Sequence, residues 1–177
     1  MNLARSFGAG WWIALGCVVV APGHAQPPRK GRLDGALGGP YKVVAVEVTG
    51  DRRIDVVLGY HRIGVVAVDQ GDGRGRLSPL ALNVFSDENR RINPDDRSWS
   101  QPHVHNLAFG DIDGDGLVDL VLAVGGVGES RPGRVVIARN IGRGRFERVL
   151  EYRTPSEAKG VRFADLNQDG QLDLLYT

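Results

Sequence analysis

FGDIDGDGLVDLVLA, residues 109–123, places four aspartates within nine positions and then continues into an apolar run. The aspartates occupy places 1, 3, 5 and 9 of a loop that begins at Asp111, and Gly116 occupies place 6. Side chains at alternate places of a curled backbone converge on one small volume, and a glycine permits the sharp turn. Like charges about 4 Å apart repel by roughly 1 kcal/mol per pair in water. The pattern therefore predicts a cation-binding loop at the entrance to a β-strand.

The same pattern recurs in register at two other places in the chain. FADLNQDGQLDLLYT, residues 163–177, repeats it closely, whereas AVEVTGDRRIDVVLG, residues 45–59, is a degenerate copy. In the degenerate copy Glu47 takes the place of the first aspartate and Arg52 that of the glycine. We name the three nine-residue segments loop 1 (47–55), loop 2 (111–119) and loop 3 (165–173).

A second repeated element lies between these loops. Residues 64–80 and 134–150 each contain an apolar β-branched run, a turn rich in Gly and Arg, and a return segment, and both predict a β-hairpin. Each unit is thus an acidic loop, a buried strand, a connection and a hairpin, which is a small antiparallel sheet that buries its faces against neighbouring copies. The polar segment 85–105 is interpreted as an inserted loop, more typical of a tolerated surface insertion than of a binding loop.

The ligand set of loops 2 and 3 favours a hard divalent cation. It consists of oxygen atoms, and cysteine and histidine are absent from both loops, which argues against zinc or copper there. A flexible cage of many oxygens suits calcium better than magnesium. An EF-hand is excluded because place 12 is Leu122 in one copy and Tyr176 in the other, where that motif requires Glu. A solvated turn that binds nothing is the alternative, and two copies in register make it weaker.

The pattern D-x-[DN]-x-D-G-x-x-D-L, preceded by Phe109 or Phe163, resembles the calcium loop of FG-GAP and VCBS repeats, the blades of integrin α-chain-like β-propellers. The resemblance implies a Ca²⁺ ion in each of loops 2 and 3. It assigns the ligand roles to Asp111, Asp113, Asp115, the Leu117 carbonyl and Asp119, and to Asp165, Asn167, Asp169, the Gln171 carbonyl and Asp173. Loop 1 departs from the pattern and carries Arg52 and Arg53, so we expect it to be ion-free and held by its own hydrogen bonds.

The fold that follows is all-β, a partial β-propeller of two four-stranded antiparallel blades and the start of a third. We place blade 1 at about 41–104, blade 2 at about 105–160 and the incomplete blade 3 at 161–177. Because propellers close with about four to eight blades, we expect a fragment of a longer protein. The alternatives are copies that complete one another in an oligomer, or an open pair of blades.

The N-terminus has the features of a signal peptide over residues 1–25, followed by a linker over 26–40. Arg5 precedes the apolar run WWIALGCVVVA, and GHA before Gln26 offers a cleavage site. The run is too short to span a bilayer, so no membrane span is expected after cleavage. Cys17, the single cysteine, lies in a poor lipoprotein context. We expect a secreted, periplasmic or cell-surface protein.

Composition restricts the possible functions. A net charge of +1 with scattered arginines gives no reason to expect a nucleic-acid partner. No nucleophile elbow or phosphate-binding motif is present, so we expect a binding, adhesion or scaffolding module rather than an enzyme. Its partner would be an extracellular protein or a glycan. The alternative is the propeller part of a secreted polysaccharide-active or phosphodiester-cleaving enzyme.

The sequence HVH puts His103 and His105 on one face of an extended segment, a spacing that can ligate a metal. No third ligand is evident nearby in the sequence. We therefore interpret the pair as ordinary polar strand or loop residues rather than a transition-metal site.

Overall fold

A computed structural model describes residues 40–60, 64–85, 103–125 and 132–177. The predicted signal peptide, the predicted linker up to residue 39 and most of the segment 85–105 lie outside the described residues. Within them the chain contains ten β-strands and no helix. The all-β prediction is confirmed.

The strands form two four-stranded sheets and one two-stranded hairpin, all antiparallel and in chain order. Sheet 1 consists of β1 (Pro40–Val46), β2 (Asp55–Tyr60), β3 (Val65–Gly71) and β4 (Leu77–Val84). Sheet 2 consists of β5 (His103–Gly110), β6 (Asp119–Gly125), β7 (Arg134–Asn140) and β8 (Phe146–Arg153). The third unit consists of β9 (Val161–Ala164) and β10 (Asp173–Tyr176). Such four-stranded meanders are the form of propeller blades, so the fold prediction of two blades and the start of a third is confirmed.

The hydrophobic pattern of the sequence determines which strands lie in the centre. Every residue of β6, DLVLAVG, is buried, as expected for a central strand covered on both faces. The last strand of each sheet, β4 or β8, is largely exposed. The main core lies between sheets 1 and 2 and is built from thirteen buried side chains: Val48, Val57, Val66, Val68, Phe85, Val104, Leu107, Leu120, Leu122, Val124, Val136, Ala138 and Phe146.

A second core joins sheet 2 to the third unit. It contains Val121, Ala123, Val135, Ala158 and Val161, with Phe163 and Leu174 packed against it. Sheet 2 is therefore covered by sheet 1 on one face and by β9–β10 on the other. The successive units stack face to face, as the repeat analysis predicts.

Buried amide side chains connect the two full sheets. Asn83 Nδ2 donates to the Gly144 carbonyl at 3.0 Å, and the Phe146 N–H donates to Asn83 Oδ1 at 2.9 Å. Asn140 Nδ2 donates to the Val48 carbonyl at 3.0 Å. Because loop 1 contains Val48 and β7 ends at Asn140, the acidic loop of one unit is tied to the hairpin of the next.

Candidate metal centre

The three acidic loops occupy the same place in their units, between the first and second strands. Places 4 and 6 of each loop have a positive φ between 61° and 85°. These residues are Gly50 and Arg52 in loop 1, Gly114 and Gly116 in loop 2, and Gln168 and Gly170 in loop 3. The three loops thus share one backbone conformation, although only loops 2 and 3 have the predicted set of ligands.

Loop 2 brings three of its predicted ligands together. Asp111, Asp113 and Asp115 are exposed, and one carboxylate oxygen of each lies within 4.8 Å of the others. The backbone curls around Asp111, whose Oδ1 accepts the Gly114 N–H at 2.8 Å and whose Oδ2 accepts the Gly116 N–H at 3.0 Å. The Leu117 N–H donates to Asp115 Oδ1 at 2.7 Å. The predicted convergence of places 1, 3 and 5 is therefore present.

The donor atoms of this group fit a hard divalent cation. All three side chains offer carboxylate oxygens, and each Asp111 oxygen that accepts one N–H keeps a second lone pair for a metal ion. Among the residues that the structure describes, Arg139 forms an ion pair with this group, and its Nη1 lies 3.8 Å from Asp113 Oδ2. One exposed guanidinium, which also lies 3.8 Å from Glu147, leaves most of the negative charge of the loop unbalanced.

Asp119, at place 9, differs from the other predicted ligands. Its side chain is 1% exposed, and it does not belong to the group that lies within 4.8 Å. Its Oδ2 accepts the Ile112 N–H at 2.9 Å and its Oδ1 accepts the Asn140 N–H at 2.8 Å. Asp119 thus ties the loop to the end of β7, a structural role that the sequence analysis did not assign.

Loop 3 repeats this geometry with one amide in place of a carboxylate. Asp165 accepts the N–H groups of Asp169 and Gly170 at 3.1 and 2.9 Å, and Asn167 Nδ2 donates to Asp169 Oδ2 at 2.9 Å. The Gln171 N–H donates to Asp169 Oδ1 at 2.8 Å. At place 9, Asp173 Oδ2 accepts the Leu166 N–H at 2.9 Å. Asp165, Asn167 and Asp169 therefore lie around the same turn as their counterparts in loop 2.

Loop 1 satisfies its N–H groups with its own side chains. Glu47 Oε1 accepts the Thr49 and Gly50 N–H groups at 2.9 and 2.6 Å, so the expected internal hydrogen bonds are present. Partial desolvation raises the pKa of Asp51, but hydrogen bonds from the Arg53 N–H and the Gln70 amide outweigh it. The pKa of this carboxyl consequently lies below its usual value.

Place 9 of loop 1 is Asp55, which is fully buried. Its Oδ2 accepts the Val48 N–H and its Oδ1 accepts the Gly71 N–H, both at 3.0 Å. These bonds match those of Asp119, because Gly71 ends the third strand of sheet 1 as Asn140 ends that of sheet 2. The tie at place 9 is thus present even where Glu47 and Thr49 replace the aspartates of places 1 and 3.

The comparison with protein families agrees with this loop geometry. A family model described as an FG-GAP-like repeat matches residues 111–176, from the first aspartate of loop 2 to the last strand. Residues 111–176 are an FG-GAP-like repeat region. Comparison of the chain with curated proteins and with solved structures gives no significant match.

FG-GAP-like repeats are units of β-propeller modules that bind or scaffold, and they are typical of extracellular proteins. The three acidic loops of this protein are flanked by strands on both sides, which agrees with the exclusion of an EF-hand. No helix long and apolar enough to cross a membrane occurs in the described part of the chain.

Outside the repeat loops, the structure places a third potential ligand beside the two histidines of the HVH sequence. His103 and His105 are joined by Glu157, and the three side chains offer ligand atoms within 4.8 Å of one another. The third group was missed because Glu157 lies in the segment between β8 and β9, far from the histidines in the sequence.

Proposed function

We propose that this protein is an exported, calcium-binding β-propeller module, in which Ca²⁺ ions in loops 2 and 3 fix the connections between strands. The observation that carries the proposal is the convergence of the Asp111, Asp113 and Asp115 carboxylates within 4.8 Å. The residues that would hold the ion are those at places 1, 3 and 5, with the carbonyl at place 7, while the carboxylate at place 9 fixes the loop through the backbone N–H groups that it accepts. When bound, Ca²⁺ supplies positive charge and bonds to several oxygens at once.

Calcium would act on the stability of the units rather than on a reaction. The three exposed carboxylates repel one another, and the Arg139 guanidinium balances only part of their charge. An ion that binds the folded loop and not the unfolded chain stabilises the fold by mass action. Since loop 2 joins β5 to the central strand β6, ordering this loop supports the strand that contributes most to the core.

The role we propose is non-enzymatic binding or scaffolding outside the cytoplasm, with an extracellular protein or a glycan as the partner. The export rests on the predicted signal peptide at residues 1–25. The carboxylates that an acid and base pair would require are those we assign to ions. Self-association of copies that stack further units is compatible with the face-to-face packing of the sheets.

Thermal unfolding of the full chain tests the calcium role. We expect Ca²⁺ to raise the Tm relative to chelator, because an ion at 100 times its Kd adds about 2.7 kcal/mol of stability. Asp115→Ala should remove most of this rise and Asp169→Ala a smaller part, since loop 2 has four carboxylates and loop 3 has three. Asp51→Ala, the matched change in loop 1, should keep the full rise. Equal melting curves of the unaltered chain in Ca²⁺ and in chelator would contradict the proposal.

A further inference from the structure

The start of sheet 2 carries a cluster of two imidazoles and a carboxylate. His103 Nε2 lies 4.0 Å from Glu157 Oε1, and His105 Nε2 lies 3.6 Å from Glu157 Oε2. The two rings contact each other edge to face, with centroids 4.4 Å apart. The histidine side chains are 8% and 14% exposed and that of Glu157 is 42% exposed, so the cluster is open to solvent on the glutamate side.

Two features of the backbone bring the imidazoles together. The pairing of β5 with β6 shifts register between Val104 and Asn106, so His105 lies at a bulge, a feature that redirects a side chain. Both rings then lie over Gly125 at the end of β6. A Cβ atom at Gly125 would be 2.5 Å from His103 Nε2 and 2.6 Å from His105 Nε2. Because Gly125 has no side chain, the Nε2 atoms of both histidines can lie close to its Cα.

The position of Glu157 is fixed by the segment that carries it. The Thr154 N–H donates to the Gly133 carbonyl at 2.9 Å on one side, and the Lys159 N–H donates to the Thr177 carbonyl at 2.6 Å on the other. Ala158, the next residue, is buried in the core between sheet 2 and the third unit. The glutamate is therefore held against the histidines by a segment anchored before and after it.

We propose that His103, His105 and Glu157 bind a divalent transition-metal ion of the zinc class. Their nitrogen and oxygen atoms are 3.6 to 4.0 Å apart, which is longer than an N–H···O hydrogen bond. Two metal bonds of about 2.1 Å at the tetrahedral angle place their donor atoms about 3.4 Å apart, so a small movement of the exposed Glu157 would complete the geometry.

The donor set determines which metal ion fits. Two imidazoles and one carboxylate suit Zn²⁺ and related first-row ions, whereas Ca²⁺ prefers oxygen ligands. Three protein ligands leave a fourth coordination position for water or for a donor atom from a partner. The ion would join β5 to the segment between β8 and β9, and so link sheet 2 to the third unit.

This site is independent of the proposed calcium function, because it shares no residue with loops 2 and 3. The test is calorimetric titration of Zn²⁺ into the chelator-treated full chain in the presence of excess Ca²⁺, which occupies oxygen-only sites. We expect one Zn²⁺ ion per chain. Glu157→Gln and His105→Ala should each weaken Zn²⁺ binding by about 100-fold or more. Even the replacement of a residue that only hydrogen-bonds to a metal ligand lowers metal affinity by about 10- to 100-fold.

A control variant keeps the test specific. Glu147→Gln removes an exposed carboxylate from β8, outside both proposed metal sites, and should leave the Zn²⁺ affinity unchanged. Far-UV circular dichroism checks that each variant is folded. Of the two ligand substitutions, Glu157→Gln should disturb packing least, because the Glu157 side chain is exposed. Replacing Zn²⁺ with Co²⁺ should give a visible absorption band that Glu157→Gln alters.

Absence of Zn²⁺ binding by the unaltered chain would overturn the inference. Binding that survives both Glu157→Gln and His105→Ala, or that is lost in Glu147→Gln, would also overturn it. Neither result would bear on the calcium proposal, whose readout is the Ca²⁺-dependent Tm of the loop variants.

Discussion

Loops 1 and 2 have the same backbone and different side-chain chemistry. Both have positive φ at places 4 and 6, and both have a buried aspartate at place 9 that accepts two N–H groups. They differ at places 1 and 3, where loop 2 has converging aspartates and loop 1 has Glu47 and Thr49 joined by a hydrogen bond. The conformation of the loop therefore does not depend on a complete set of acidic ligands.

The comparison separates two tasks that the motif combines. The aspartate at place 9 and the positive φ at places 4 and 6 support the fold, because both features persist in the degenerate loop 1. Places 1, 3 and 5 belong to ion binding, because their side chains remain exposed in loop 2 and make only local hydrogen bonds. The sequence pattern suggests that every aspartate of the motif is a metal ligand. The structure shows that the last aspartate instead accepts backbone N–H groups.

The largest expected effect comes from removing the buried aspartate of either loop. Asp119→Ala leaves the Ile112 and Asn140 N–H groups without their acceptor, and Asp55→Ala does the same to two N–H groups in sheet 1. At about 1–3 kcal/mol per unsatisfied buried group, each change should cost about 3 kcal/mol or more. Urea unfolding in chelator measures this cost.

The matched control is Asp113→Ala in the same chelator. This residue is exposed at place 3, and its removal relieves repulsion with Asp111 and Asp115, so the free energy of unfolding should change by less than about 0.5 kcal/mol. If Asp119→Ala were as mild as Asp113→Ala, the division between structural and ion-binding places would be wrong.

A smaller effect is expected at place 6, where loop 2 has Gly116 and loop 1 has Arg52. Both have positive φ, 85° and 63°, which a residue with a Cβ adopts at a cost of about 1 kcal/mol. In chelator, Gly116→Ala should lower the free energy of unfolding by about 1 kcal/mol. Arg52→Gly should raise it by about 0.5 kcal/mol, because the greater entropy of the unfolded chain offsets part of the relief. Changes of the same sign in both variants would show that the two loops do not share their backbone strain.

Much of the fold could be predicted from the sequence because it is built from local repeats. The hairpins 64–80 and 134–150 are predicted by their apolar runs and turns, and their return strands begin at Leu77 and Phe146. The convergence of Asp111, Asp113 and Asp115 followed from their alternate spacing. These features depend on neighbours within one unit.

The features that sequence reasoning missed depend on contacts between distant segments. Glu157 reaches the histidines because the segment after β8 folds back against β5, which no spacing in the sequence reveals. The bonds of Asp119 and Asp55 reach the third strand of their own sheets. Asn140 donates to loop 1 across the interface between the sheets. The sequence around Asn140 does not distinguish this buried asparagine from an exposed one.

The most direct test of the account is the number of Ca²⁺ ions that the full chain binds, measured by calorimetric titration. We expect two ions per chain, one each in loops 2 and 3. Asp115→Ala should reduce the number to one, and Asp51→Ala in loop 1 should leave it at two. A chain that binds no Ca²⁺, or an Asp115→Ala variant that still binds two ions, would contradict the assignment of the metal centres to these loops.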